Sequence, residues 1–68
     1  MENIKQIVAK NIADLRRASG LTQMEFAEKL NYSDKAVSKW ERGDSLPDVA
    51  VLKQIADLFQ VTLDYLVT

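Results

Sequence analysis

Apolar residues recur along the chain at spacings of three and four, the period of amphipathic helices, and no segment alternates with the two-residue period of a strand. In the first such segment the repeating positions are Ile4, Val8, Ile12 and Leu15. The whole pattern predicts five helices, over Ile4–Ala18, Gln23–Leu30, Asp34–Arg42, Val49–Phe59 and Leu63–Val67. We therefore expect an all-α fold.

Residues that start and stop helices stand between these segments. Thr22 and Glu25 have the spacing of a capping box, in which each side chain bonds a free backbone N–H of the other. Ser33 and Asp48 are placed to cap the third and fourth helices. The two glycines and the single proline all fall between predicted helices. This punctuation, in a chain of 68 residues, predicts one domain that spans residues 1–68.

The connection between the second and third helices is very short. Only Asn31 and Tyr32 separate Leu30 from the Ser33 cap, and we expect Asn31 to take the left-handed conformation, which Asn tolerates better than most residues. Ala27 is small enough to let the two helices cross closely. The residues predicted to face inward from the last three long helices are Phe26, Ala27, Leu30, Val37, Trp40, Val51, Leu52, Ile55, Ala56 and Phe59.

The third helix has one apolar and one polar face. Trp40 lies three residues after Val37, which predicts a core position rather than a stacking platform for single-stranded nucleic acid. Lys35 and Lys39 lie four residues apart and project from one side of the helix. Two capped helices joined by a tight turn, the second of which projects cations, are the arrangement that places a helix in the major groove of DNA.

Composition narrows the chemistry. The chain has no Cys and no His, which excludes disulfides, thiolate metal sites and imidazole catalysis. With no nucleophile–base pair, no phosphate-cradling glycine loop and no acidic cluster at ligand spacing, we predict a protein that is not an enzyme and has no cofactor or metal. No apolar run approaches the ~18 residues of a membrane span and no signal peptide follows Met1, so we expect a cytoplasmic protein without a membrane partner. A bundle of this size also has little room for a small-molecule ligand.

The formal net charge of −1 is unusual for a protein that binds nucleic acid. The charges are unevenly distributed, however. Residues 1–43 carry eight Lys or Arg and six Asp or Glu, whereas residues 44–68 carry one Lys and four Asp. The cationic part contains the third helix. With so few cations, we expect weak non-specific affinity for DNA and a modest salt dependence.

The motifs of this chain resemble those of a large family. Thr22-Gln23 with Ala27, Val37, and Trp40-Glu41-Arg42-Gly43 resemble the helix-turn-helix of phage repressor and Cro-type regulators, the xenobiotic-response-element family of bacterial regulators. The likeness covers nearly the whole chain, through Leu15-Arg16-Arg17, Gly20-Leu21, Pro47, Leu52, Ile55-Ala56, Leu63 and Leu66. One departure is Asn31, where the family usually has Gly.

The resemblance implies a five-helix, lambda-repressor-like domain with its helix-turn-helix at residues 22–43. Its expected function is sequence-specific binding of double-stranded DNA as a transcriptional regulator, more often a repressor. The residues expected to contact DNA are Gln23, Tyr32, Ser33, Asp34, Lys35, Ser38, Lys39 and Arg42. The resemblance also implies an internal salt bridge between Arg16 and Glu41.

Several of these roles have alternatives. The two lysines of the third helix contact base edges or phosphates, or else form a solvated face. Asp34 accepts from a cytosine or serves only the helix dipole. Tyr32 bonds a phosphate or packs over the turn, and Gln23 contacts a phosphate or braces the third helix. Arg42 is expected to contact phosphate, which the nearby Asp44 opposes.

Because one helix reads only about 4–5 base pairs, we expect a homodimer on a pseudo-palindromic operator. Its contact is expected at the C-terminal end, where the apolar residues are Phe59, Val61, Leu63, Tyr65 and Val67. The alternative is that these residues only complete the core. The competing functional hypothesis is a protein-interaction module, such as an antitoxin, that keeps the fold but binds protein; the acidic balance favours it and the two lysines oppose it.

Overall fold

The structure, a computed structural model, describes residues 3–68, so positions 1 and 2 of the predicted domain lie outside the described residues. Within that part of the chain the elements are α1 (Ile4–Ala18), α2 (Gln23–Leu30), α3 (Asp34–Arg42), α4 (Val49–Phe59) and α5 (Leu63–Leu66). The first four ranges are those predicted. Helix α5 ends one residue earlier than expected, because the backbone of Val67 leaves the helical conformation, with φ −107° and ψ 7°.

Every helix begins at a side chain that accepts a hydrogen bond from a free backbone N–H of its first turn. These N-caps are Asn3, Thr22, Ser33, Asp48 and Thr62. The predicted capping box is present, with 2.8 Å from Thr22 N to Glu25 Oε1 and 3.0 Å from Glu25 N to Thr22 Oγ1. The backbone N–H of Thr22 lowers the pKa of the Glu25 carboxyl, helped by the Thr22 hydroxyl, because both hydrogen bonds favour its charged form.

The tight turn after α2 depends on a left-handed residue. Asn31 has φ 62° and ψ 42°, as predicted, and the N–H of Tyr32 then bonds the carbonyl of Ala27 over 2.9 Å. This conformation costs a residue that has a Cβ about 1–2 kcal/mol. Gln60 adopts the same geometry after α4, with φ 58°, which no feature of the sequence predicted.

The core lies between the helices and is wholly apolar. Its buried cluster consists of Val8, Ile12, Phe26, Ala27, Leu30, Val37, Trp40, Val51, Leu52, Ile55, Ala56 and Leu66. Phe59, expected to face inward, is only partly buried, although its ring lies 5.4 Å from that of Phe26. Helix α3 packs on both α1 and α2. The core therefore holds α3 at a defined position while its other face remains in solvent.

Ile4, the first position of the apolar stripe of α1, is not part of the core. Its side chain is exposed, and the buried residues of α1 begin at Val8. Ala9 and Ala13, which lie outside that stripe, are buried instead.

The C-terminal residues divide into two groups. Phe59, Val61 and Val67 pack against the core, whereas Leu63 and Tyr65 are exposed. Asn11 of α1 anchors this end of the chain, because its Nδ2 lies 3.0 Å from the carbonyl oxygen of Leu66 and 3.1 Å from those of Tyr65 and Thr68. No helix in residues 3–68 is both long enough and apolar enough to cross a membrane.

Candidate nucleic-acid interface

Helix α3 presents two different faces. Val37 and Trp40 point into the core, with the indole of Trp40 only 6% exposed, which confirms their predicted positions. Asp34, Lys35 and Lys39 lie on the opposite, exposed face. The burial of the inner face ties the position of α3, and so of its outer side chains, to the packing of the whole domain.

The outer face of α3 and the start of α2 together form one shallow, open groove. Its lining residues are Gln23, Asp34, Lys35, Ser38, Lys39 and Arg42. All of these belong to the predicted DNA-contacting set. The remaining two members of that set, Tyr32 and Ser33, lie in the turn at the N-terminal end of α3. The fold thus brings most of the predicted residues onto one surface.

An ion pair at the edge of the core fixes the end of this groove. Arg16 donates to Glu41 twice, from Nε over 2.6 Å and from Nη2 over 3.0 Å. The two side chains are only 12% and 5% exposed. The Arg16 guanidinium also donates to the Leu21 carbonyl over 2.8 Å, and Gln23 Nε2 donates to Glu41 Oε1 over 3.0 Å. The expected salt bridge is present, and it ties α1, the start of α2 and α3 together.

Gln23 therefore braces α3, the second of the two roles weighed for it. Its amide is held by Glu41, yet its side chain still lines the groove. It stands at the first position of α2, where free backbone N–H groups favour an anion. A phosphate contact from this position remains a prediction.

The two lysines of α3 are exposed and lie side by side. Within residues 3–68, neither Lys35 nor Lys39 forms an ion pair or a side-chain hydrogen bond. Their charges are therefore uncompensated by the protein at the centre of the groove. Asp34, at the first turn, supplies one negative charge at its N-terminal end.

Arg42 is in a different situation. Its Nε donates to Asp44 Oδ2 over 2.9 Å, and its Nη1 donates to the hydroxyl of Ser38. The guanidinium thus lies back along α3, on the groove side, with a carboxylate directly beside it. Asp44 was expected only to oppose phosphate, whereas the structure pairs it with Arg42. The i, i+2 spacing of the two residues does not by itself predict this contact.

The turn residues have structural partners. The ring of Tyr32 packs edge-on against Trp40, with centroids 5.6 Å apart and planes at 62°, so it covers the turn while remaining about half exposed. The hydroxyl of Ser33 accepts the N–H of Ala36 over 3.2 Å. Both residues lie in the exposed turn before α3.

The glycine that ends α3 has a left-handed backbone conformation, which favours Gly. Gly43 has φ 77°, and a Cβ added there would lie 2.5 Å from Nε2 of Gln6. This contact between α1 and the end of α3 was not predicted, because the two residues are far apart in the sequence and Gln6 has no distinctive neighbours.

Comparison with known proteins decides the family. A model of the helix-turn-helix family matches residues 12–66. The chain belongs to that family. The transcriptional activator BcrR of Enterococcus faecalis is 41% identical over 59 residues, which are 87% of this chain and 29% of that protein. The transcriptional regulator ImmR of Bacillus subtilis is 37% identical over 59 residues, or 87% of this chain and 46% of that protein.

The fold comparison agrees. The SOS-response transcriptional repressor LexA of Eubacterium rectale superposes with a TM-score of 0.93 at 24% identity, covering 98% of this chain and 71% of that one. The predicted lambda-repressor-like, all-α fold is confirmed.

The chain spans less than half the length of the first two relatives. Similar sequences also occur within proteins of other kinds. The type II methyltransferase M.SsoII of Shigella sonnei is 38% identical over 53 residues that make up 14% of that protein. The antitoxin PezA of Streptococcus pneumoniae is 34% identical over 56 residues, 35% of its length.

Proposed function

We propose that this domain binds double-stranded DNA in a sequence-specific manner, with α3 in the major groove, and that it regulates transcription. The observation that carries the proposal is the pair of lysines on the outer face of α3, which have no partner within the described residues while the inner face is buried. A helix that is held this firmly presents its cations at a defined depth and angle, as recognition by a helix requires.

The contacts follow from the chemistry of each side chain. Lys35 and Lys39 donate to guanine O6 or N7, and Asp34 accepts from a cytosine amino group. Gln23, at the N-terminus of α2, contacts a phosphate on one flank of the groove. The hydroxyls of Tyr32, Ser33 and Ser38, and the guanidinium of Arg42, complete the surface. The lysines thus make base contacts from α3, and Gln23 makes a phosphate contact beside them.

We propose repression by occlusion. A domain bound across a promoter blocks polymerase by its volume alone, whereas activation needs an additional favourable contact with polymerase. The site would be a pseudo-palindrome bound by a homodimer, because a single α3 reads too few base pairs for selectivity. The exposed Leu63 and Tyr65 at the C-terminal end support a dimer contact there.

The decisive experiment is in-vitro selection of double-stranded DNA by this protein from a random pool. We expect enrichment of a two-fold symmetric site whose half-sites lie about ten base pairs apart. A single enriched half-site would contradict the dimer but keep the DNA function. No enrichment at low salt, with the protein shown to be folded by circular dichroism, would contradict the whole proposal.

Two variants then test the placement of the interface. Lys39→Ala is expected to weaken binding to the selected site, whereas Lys53→Ala, a matched loss of one exposed lysine on α4, is expected to leave it unchanged.

Sedimentation of Leu63→Lys tests the dimer: the wild type should associate on DNA and the variant should bind as a monomer.

A second candidate is a protein-interaction role, as in an antitoxin. The acidic balance of residues 44–68 and the similarity to PezA over 82% of this chain favour it. The same selection separates the two functions, because a protein-binding domain with an intact fold would enrich no DNA sequence.

A further inference from the structure

Three cations line the groove, and among residues 3–68 one of them, Arg42, has an acidic partner. Arg42 donates from Nε to Asp44 over 2.9 Å and from Nη1 to the Ser38 hydroxyl, while Lys35 and Lys39 have no such partner in residues 3–68. The pair is exposed, at 57% for Arg42 and 56% for Asp44. Arg42 itself lines the groove that DNA occupies under the proposed function, and Asp44 lies beside it.

We propose that Asp44 is a specificity-determining residue that acts through Arg42. It holds the guanidinium on the groove side of α3 and cancels its charge toward phosphate, so that Arg42 contacts the edge of a base instead of the DNA backbone. This inference rests on the proposed function, and it revises the phosphate contact that the sequence suggested for Arg42.

The geometry supports the first part of the proposal. The Nε and one N–H of Nη1 are occupied, so the remaining donors are on Nη2 and the second hydrogen of Nη1. A guanidinium that is held at two points loses less conformational entropy when it binds, since its planar donors are already oriented. Ser38 lies one turn before Arg42, so one of the two groups that hold the guanidinium belongs to α3 itself.

The charges support the second part. A phosphate that accepted from the free Nη2 would lie about one guanidinium width from the Asp44 carboxylate, and the two anions would repel. Guanine O6 and N7 are acceptors without a net charge, so they pair with the same donors with much less repulsion. The Asp44 charge thus disfavours every phosphate contact of Arg42, whatever the sequence, and disfavours base contacts least.

The consequence is a difference between specific and non-specific binding. Non-specific affinity depends on the number of phosphates neutralised, and the logarithm of the binding constant falls with the logarithm of salt by about 0.9 for each. Because of Asp44, Arg42 neutralises no phosphate and does not add to the non-specific affinity. Asp44 therefore lowers the background affinity for random DNA while it leaves the affinity for the correct site largely intact.

The test is a double-mutant cycle with Asp44→Asn, Arg42→Ala and the double variant, measured on the selected site and on a scrambled duplex at several salt concentrations. Asp57→Asn is the matched control, since it removes a similarly exposed carboxylate from the Lys53–Asp57 pair on α4. The free proteins are compared by circular dichroism, so that a loss of folding is recognised separately.

We expect Asp44→Asn to raise affinity for the scrambled duplex about 5- to 20-fold and to steepen its salt slope by about one, as gain of one phosphate contact predicts. Affinity for the selected site should change little or fall. Asp57→Asn should raise affinity for both duplexes by the same small factor. In the Arg42→Ala background, Asp44→Asn should have no more effect than Asp57→Asn.

Two results would overturn this inference alone: an unchanged ratio of specific to non-specific affinity in Asp44→Asn, or an equal effect of Asp44→Asn with and without Arg42. In the second case Asp44 repels phosphate directly. Failure of the folded wild type to bind either duplex at low salt would overturn both this inference and the proposed function, so the two failures are distinguishable.

Discussion

Glu41 and Arg42 are neighbours on α3 that form ion pairs in opposite surroundings. The Glu41 carboxylate is 5% exposed and is held by Arg16 from α1 and Gln23 from α2. The Arg42 guanidinium is 57% exposed and is held by Asp44 and Ser38 from its own neighbourhood. The first pair joins three helices, whereas the second joins residues at the end of one helix. An Arg–carboxylate pair therefore holds helices together in the first case and lies on the surface in the second.

Solvent is the reason for the difference. Removing one partner of a buried pair leaves a charge that water cannot reach, which is strongly destabilising. An exposed pair is screened by water and contributes about 0–1 kcal/mol to stability. The buried pair thus governs where α3 lies, and the exposed pair governs only which charges α3 presents to a partner.

The largest expected effect is at Glu41. Glu41→Ala should lower the free energy of unfolding by about 3–5 kcal/mol, because Arg16 is left with an uncompensated buried charge. A domain of this size has roughly 3–10 kcal/mol in total, so the variant should be close to unfolding. Urea denaturation followed by circular dichroism measures the change. Glu41→Gln, which keeps an acceptor, is the milder control, and a loss below about 1 kcal/mol in Glu41→Ala would contradict the scaffold role.

The variant Lys35→Ala tests how much the outer face of α3 contributes to DNA binding. It should weaken binding to the selected DNA site by about 1–3 kcal/mol and remove the preference at one base position, if Lys35 reads a base. The free energy of unfolding should stay within about 0.5 kcal/mol of the wild type, because the side chain is exposed. Fluorescence anisotropy with single-base variants of the site distinguishes the outcomes; a uniform loss across sequences would indicate a phosphate contact.

The exposed pair should contribute little to folding. In a double-mutant cycle of Arg42→Ala and Asp44→Ala, we expect a coupling of about 0.2–1 kcal/mol in the free energy of unfolding. Denaturation at 0.05 M and 1 M salt checks it, since screening should remove most of the coupling. A coupling as large as the loss in Glu41→Ala would show that the two pairs do not differ in the way proposed.

The smallest effect concerns Glu25, a carboxylate that is held by hydrogen bonds to Thr22. Its pKa is lowered in the folded state by the Thr22 N–H and hydroxyl. Its capping contribution is therefore fully present above the ordinary carboxyl pKa and is lost as the pH falls through the lowered value. The difference in unfolding free energy between the wild type and Glu25→Ala should be largest at neutral pH and should shrink in acid. A difference that is independent of pH would exclude the charged form as the cap.

Much of this molecule could be predicted from local pattern. Capping at Thr22, Ser33 and Asp48, the left-handed Asn31 and the buried Trp40 each follow from residue types a few positions apart, whose interactions are made inside one helix or turn. The expected Arg16–Glu41 pair came from family resemblance rather than from spacing, because those residues are 25 positions apart.

Where prediction failed, the deciding contact was between distant segments or at the limit of an element. Ile4 continues the apolar stripe of α1, yet its side chain is 44% exposed. Nothing in the sequence around Asn11 indicates that its side chain bonds the last residues of the chain. The burial of Ala9 and Ala13 likewise depends on which side of α1 its neighbours approach.

The sequence by itself determined where the helices lie, the bounds of the first four and most of the apolar positions, because backbone hydrogen bonding, capping and periodicity act over a few residues. Only the tertiary structure decided that Glu41 is buried and Arg42 exposed, and that Gln23 braces α3. Those outcomes depend on which surfaces exclude water, and that is settled when the helices pack together.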